Sequence, residues 1–332
     1  MAMLAAALAA LVALAGNYTS PTLAATRYID EVFPNVTVAS NIAYGEAIDQ
    51  FGQPETLRLD LYQPTGDTLP SRPVVIFAHG GSFTGGDKAF ADPVNYSTRM
   101  AKRGFVVASI NYRLRQAPIP PEEMPQTVFD AKHDMQAAIR WFRANAATYA
   151  VDTERISVAG YSAGAATALF AAFIPEDVGD SGNPGHPSDV SASISISGSM
   201  GNAADGAISQ GDPPVLLIHG TADATVPYSN ATDIVAAANA DGVPNELYTL
   251  TGAGHSKFGP ALMPEMAQQS GEFLMNYVIG GSAVGGLTQF ATSYAPPSED
   301  SWPLIWWWLI PAGLLIGPLA VCAECYVRRR GR

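Results

Sequence analysis

The chain has 332 residues, 48% hydrophobic and 14% charged, enough for one large domain with a full core. A net charge of −12 argues against nucleic acid and anionic membrane surfaces as partners. The two cysteines, Cys322 and Cys325, sit at the C-terminal end, so the rest of the chain has no disulfide and no thiol nucleophile.

Met1 to Ala15 is almost wholly apolar, and Ala13-Leu14-Ala15 fits a small-x-small cleavage site. This predicts a signal peptide over 1–15, with a second candidate cleavage near Ala25. An uncleaved anchor is the alternative. Asn17, Asn35, Asn95 and Asn230 each open an Asn-x-Ser/Thr sequon, which matters only in a host that glycosylates secreted proteins.

The main globular domain is expected over 26–280. Val36 to Tyr44 and Thr56 to Tyr62 alternate apolar and polar residues and read as an opening antiparallel pair. Pro73 to Ala78 is a continuous apolar run, the mark of a strand buried on both faces. A helix from Asp92 to Arg103, a strand from Phe105 to Ile110 and a long amphipathic helix from Val128 to Ala147 follow. Strands are then expected at 155–159, 190–197, 214–219 and 246–250, with helices after Gly164, over 226–240 and over 263–278. Strands alternating with helices predict an α/β fold, a mostly parallel sheet of about eight strands covered on both sides.

Residues 281–301 are rich in Gly, Ser, Thr and Pro and read as a linker. Trp302 to Ala323 is apolar, and its 22 residues would span about 33 Å as a helix, enough for a hydrocarbon core of roughly 30 Å. Trp302, Trp306, Trp307 and Trp308 stand at its start, as in an aromatic belt. Arg328, Arg329, Arg330 and Arg332 follow in the tail 324–332, so the positive-inside rule puts that end in the cytoplasm and the large domain outside or in a lumen. The same pattern also fits a C-terminal sorting signal that is removed.

Four short motifs lie where strands should end, which is where sites form in α/β sheets. Gly160-Tyr161-Ser162-Ala163-Gly164 stands between a strand and an apolar helix, the setting of a nucleophile elbow. Its bland alternative is a Gly/Ser turn. His79-Gly80-Gly81-Ser82-Phe83 follows strand 73–78, and consecutive glycines let backbone N–H groups face a cavity. His79 itself is expected to brace that loop. His219-Gly220-Thr221-Ala222-Asp223 offers an acid in a loop, although turn and capping aspartates are common. Gly252-Ala253-Gly254-His255-Ser256 offers a histidine able to reach over the sheet edge. In chain order the candidates are Ser162, Asp223 and His255.

Over roughly residues 40–280 the chain resembles an α/β-hydrolase of the carboxylesterase/lipase group, close to hormone-sensitive-lipase-like and feruloyl-esterase-like enzymes. The resemblance rests on residues 79–83, Gly85-Gly86-Asp87-Lys88, residues 160–164, residues 219–223 with Val226-Pro227, and Gly254-His255. It implies a Ser162-His255-Asp223 triad working through an acyl-enzyme, with no metal or organic cofactor. It also implies an oxyanion hole from the N–H groups of Gly81, Ser82 and Ala163, with Gly80 shaping the turn. Many relatives carry a third glycine where Ser82 stands, which bears on acyl preference.

The only sizeable loops, Arg113 to Gln126 and Pro175 to Asp189, leave no room for a large lid, so the expected substrate is a short or medium acyl ester. Two alternatives stand beside this reading. One is a serine peptidase of the prolyl-oligopeptidase type. The other is a non-catalytic binding ectodomain on a membrane stalk.

Overall fold

The computed structural model describes residues 26–255, 262–280 and 289–293. The predicted signal peptide, the membrane span 302–323 and the basic tail lie outside the described residues. Among the described residues no helix is long and apolar enough to cross a membrane.

Among the described residues, nine strands form one sheet in the order β1-β2-β4-β3-β5-β6-β7-β8-β9. They are β1 (Val36–Ile48), β2 (Pro54–Pro64), β3 (Arg72–Ala78), β4 (Val106–Ile110), β5 (Val151–Tyr161), β6 (Ala192–Ile196), β7 (Val215–Gly220), β8 (Asn245–Thr251) and β9 (Gln289–Ser293). The β1–β2 and β2–β4 pairings are antiparallel and all the others parallel. Five main helices connect them: α1 (Ala91–Lys102), α2 (Met124–Ala144), α3 (Ala163–Phe173), α4 (Ser229–Ala240) and α5 (Met263–Leu274).

The central strands are apolar on both faces because both faces are covered. Val74, Ile76 and Ala78 of β3 point to one side, where α2, α3 and α4 close the core. Val75 and Phe77 point to the other, where Tyr96 and Met100 of α1 and Met266, Phe273 and Leu274 of α5 pack. The long helix also starts earlier than its pattern predicts, at Met124, with proline in its first turn where a missing N–H costs nothing.

Two differences from the expected layout concern strands. The elbow strand β5 begins at Val151, four residues before the predicted start, because Val151 pairs with Arg72 across a register shift. The stretch read as a linker contains β9, which pairs in parallel with β8 at the sheet edge. Low charge and small residues suit a tether, but they equally permit an edge strand, and composition alone does not separate the two.

The parallel strands all run the same way, so the segments leaving β3, β5, β7 and β8 emerge at one end of the sheet. The four motifs are these segments.

Candidate active site

Ser162 sits between β5 and α3 with φ 55° and ψ −117°. This backbone conformation is sparsely populated by non-glycine residues and costs on the order of 1–3 kcal/mol. Close packing holds it. A Cβ at Gly160 would lie 2.2 Å from the Gly164 carbonyl, and one at Gly164 would lie 2.1 Å from the Ala78 oxygen. The two glycines let the turn fold back on itself and against the end of β3. The Ser162 N–H donates to the Ile196 carbonyl at 2.9 Å, which ties the elbow to β6.

The histidine and the aspartate arrive from two neighbouring loops. Asp223 follows β7 and His255 follows β8. The loops are laced together: the Thr221 N–H donates to Leu250 O at 3.1 Å, and the Ala222 N–H to Ala253 O at 3.0 Å. The Gly252 N–H donates to Thr221 Oγ1 at 2.8 Å.

Their side chains form a continuous chain of hydrogen bonds. The Ser162 Oγ and His255 Nε2 are 2.8 Å apart. The His255 Nδ1 and Asp223 Oδ2 are also 2.8 Å apart. A carboxylate can only accept, so Nδ1 carries the proton and Nε2 is left to accept from the serine. The other oxygen of Asp223, Oδ1, accepts the N–H groups of Thr225 at 2.9 Å and Val226 at 2.8 Å. Burial opposes the charged form of Asp223, but bonds from His219, His255 and the Val226 amide outweigh it and hold the carboxyl well below its ordinary range. The aspartate is therefore charged at neutral pH.

The glycine loop after β3 lies directly against the elbow. A Cβ on Gly80 would meet the Tyr161 ring at 2.8 Å. Gly81, Ser82 and Phe83 have φ values of 129°, 54° and 61°. The turn is closed by Thr84 and Gly85, whose N–H groups donate to Gly81 O at 3.0 and 3.1 Å. The Phe83 side chain is buried and meets Tyr112 edge-on at 6.2 Å. Among the described residues, no hydrogen bond engages the N–H groups of Gly81, Ser82 or Ala163. Ala163 N is the first N–H of α3, where no intrahelical acceptor exists.

His79 does brace this loop. It is buried, its Nδ1 donates to Gly80 O at 2.7 Å, and its ring stacks on Tyr112 at 4.6 Å. The Tyr112 hydroxyl donates to His79 O at 2.7 Å. Burial pushes His79 below the ordinary histidine range, so its ring is neutral. The adjoining Gly85-Gly86-Asp87-Lys88 stretch is anchored in turn. Asp87 accepts from Asn111, and the Lys88 ammonium meets Asp60 at 3.2 Å.

Two further residues of these motifs, Tyr161 and His219, have contacts at the site that residue order does not reveal. The Tyr161 hydroxyl donates to the main-chain oxygen of His255. Burial, then Asp223 and Asp92, raise this phenol well above its ordinary range and keep it a donor. His219, at the end of β7, lies against the same Asp223 oxygen, Oδ2, that His255 contacts. Its spacing, four residues before the acid at a strand end, was the available signal.

Comparisons with known proteins find similarity over parts of the chain. A family model described as BD-FAE matches residues 59–198, and one described as the prolyl oligopeptidase family matches residues 179–280. A probable isoprenylcysteine alpha-carbonyl methylesterase of Oryza sativa subsp. japonica is 38% identical over 129 residues, 39% of this chain and 26% of that protein. A carboxylesterase of Mycobacterium tuberculosis is 36% identical over 107 residues, 32% of this chain and 31% of that protein. The matched stretches thus span about a quarter to a third of these relatives. Among solved structures, esterase 2 of Thermogutta terrifontis phosphorylated by paraoxon is 26% identical with a TM-score of 0.62, covering 74% of this chain and 96% of that one. A truncated carbohydrate esterase from gut microbiota, 20% identical with a TM-score of 0.60, shares the fold over 74% of this chain and 97% of that one. Parallel sheet, strained elbow and solved structures converge on an α/β-hydrolase fold, and parts of the chain are similar in sequence to esterases.

Proposed function

We propose that this protein is a serine carboxylic-ester hydrolase working through Ser162, His255 and Asp223 and an acyl-enzyme intermediate. The observation that carries the reading is the unbroken Ser162–His255–Asp223 hydrogen-bond chain beside a glycine loop. His255 Nε2 takes the Ser162 proton as Oγ attacks the ester carbonyl. Asp223 holds the Nδ1–H tautomer and stabilises the imidazolium that forms. The N–H groups of Gly81, Ser82 and Ala163 receive the developing oxyanion, each such donor being worth about 10²–10³ in rate. His255 returns its proton to the leaving alkoxide, and water repeats the sequence on the acyl-enzyme.

Short or medium acyl chains are the proposed substrates. Of the two long loops, 175–189 is strapped along α2. Lys132 donates to Glu176 O, Gln136 to Pro175 O, Arg140 to Val178 O and Gly182 O, and Arg143 to Pro187 O. It begins at the far end of α3, about 16 Å along that helix from Ser162. It is therefore not a lid over the serine.

The test is hydrolysis of p-nitrophenyl butyrate by the wild type and by Ser162→Ala. The variant should lose about 10⁶ in kcat, and a fluorophosphonate should label only the wild type. Retention of most activity in the variant sinks the assignment. The match to the prolyl oligopeptidase model over 179–280 favours a second reading, a serine peptidase. A prolyl-peptide amide hydrolysed faster than the ester would establish it.

The apolar segment 302–323 and the arginines after it support a membrane tether, with the catalytic domain on the non-cytoplasmic side. The location is tested by alkaline extraction and protease protection of the full chain. Release into the alkaline supernatant would exclude a retained span.

A further inference from the structure

We propose that His219 is a positioning residue that fixes the Asp223 carboxylate through its Nε2–H and thereby the orientation of His255. The proposal rests on the triad reading above.

His219 is the last but one residue of β7 and is buried, with its ring edge-on against Tyr228 at 5.9 Å. Its Nε2 lies 2.9 Å from the Val226 carbonyl. A carbonyl only accepts, so Nε2 carries the proton. The same nitrogen is 3.4 Å from Asp223 Oδ2, the oxygen that receives the His255 proton at 2.8 Å. That N–H is bonded to the Val226 carbonyl and has Asp223 Oδ2 as a second, more distant acceptor.

The geometry makes this edge different from an ordinary buried histidine contact. Oδ1 is fixed by two main-chain N–H groups, Thr225 and Val226. Among the described residues, Oδ2 meets the two histidines, one of which must move through its protonation cycle during turnover. A partner that stays still is needed to keep Oδ2 aimed while His255 gains and loses its Nε2 proton. His219 meets that need, because it sits on a central strand and its N–H also clips residue 226 to that strand. With it removed, the carboxylate keeps its Oδ1 bonds but loses the stationary partner of Oδ2. His255 then loses the tautomer and ring angle that let it accept from Ser162.

Two variants separate positioning from plain packing. His219→Phe keeps a ring against Tyr228 and removes the donor. His219→Gln restores an N–H donor without the ring. Both are assayed on p-nitrophenyl butyrate as the full chain, with burst titration for the active fraction and thermal melting for the fold. His219→Phe should lower kcat per active site about 30- to 100-fold with KM within threefold. His219→Gln should recover kcat to within about fivefold of wild type. A His219→Phe variant within threefold of wild type overturns the proposal. So does a Gln variant that loses as much as Phe with a melt as cooperative as wild type. A wild type with no burst and no ester turnover overturns the triad reading instead, which keeps the two failures apart. If His219→Phe does not fold, a Gln variant that folds with kcat reduced more than about tenfold also overturns the proposal.

Discussion

The hydroxyl of Tyr161 donates to the main-chain carbonyl of His255, so the residue directly before Ser162 holds the loop that carries His255. The two rings lie 5.4 Å apart with a 30° tilt. The elbow and the histidine loop come from non-adjacent strands, and this bond is a direct link between them. Tyr161→Phe removes the donor and keeps the ring. One hydrogen bond of about 1 kcal/mol corresponds to a five- to tenfold fall in kcat, with KM unchanged. Steady-state kinetics on p-nitrophenyl butyrate decide it, and an unchanged kcat would mean that the loop is held by other contacts.

Ser82 sits in the glycine loop after β3 with φ 54° and an exposed side chain. Its proposed contribution is the main-chain N–H, which glycine also supplies. Ser82→Gly should therefore keep kcat on a butyrate ester within threefold. Relief of the left-handed backbone offsets the extra chain entropy of glycine, so the melting temperature should move little. A hundredfold loss of activity would show that the hydroxyl, and not the amide, does the work.

Much of this site could be read from residue order, because local physics writes it there. A turn that admits no Cβ at Gly160 or Gly164 must show glycine at both positions. A strand buried on both faces, such as 72–78, must be apolar throughout. The contributions of Tyr161 and His219 could not be read in this way. Each depends on which strand lies beside which, and sequence spacing does not encode the distance from residue 161 to 255. Strand β9 escaped for a different reason: at an edge, pairing is satisfied by backbone groups, so polar and small residues suffice. The clamp on loop 175–189 was equally hidden, since its acceptors are main-chain carbonyls.

Beneath that clamp lies a buried ion pair. Asp134, on α2, accepts the Arg113 main-chain N–H at 2.7 Å and its Nη2 at 2.8 Å, and the Ser181 hydroxyl at 2.7 Å. Arg113 also reaches the carbonyls of Ile48 and Asp130. The group ties β1, α2 and the loop together. Asp134→Ala leaves a buried guanidinium without its partner and should destabilise by about 3–5 kcal/mol. Urea unfolding gives the number. A loss under 1 kcal/mol would mean that water replaces the carboxylate.

The strapped loop also bears on substrate size. With 175–189 held on α2, the mouth above Ser162 lacks a 15-residue cover from that side. A series of p-nitrophenyl esters from C2 to C16 should give its highest kcat/KM at C4 to C8. A maximum at C12 or longer would require an apolar tunnel, and with it a different view of this loop.

Lys132 holds one end of the strap and supplies a pH test. It is fully buried, its Nζ donates to Glu176 O at 2.7 Å, and it lies 4.8 Å from the Phe129 ring centroid. Burial lowers its pKa from 10.5 to about 8, with Asp177 and Glu176 pulling the other way. Below pH 8 both folded and unfolded chains carry the proton, and the cost of burying the charge is present in full. Between about 8 and 10.5 the unfolded chain binds more protons at this site, so stability rises with pH. From pH 8 to 10 the gain is about 2 kcal/mol. Above pH 10 the raised pKa values of Tyr44, Tyr96 and Tyr112 act in the opposite direction, because the unfolded chain then ionises its tyrosines first. The comparison therefore stops at pH 10. Lys132→Met lacks the titrating group, so the unfolding free energy of the wild type should climb by about 2 kcal/mol relative to the variant across this range. Urea titrations at pH 8, 9 and 10 measure it. A difference that stays flat would show that the ammonium is already solvated in the folded protein, and that the strap is looser than its hydrogen bonds imply.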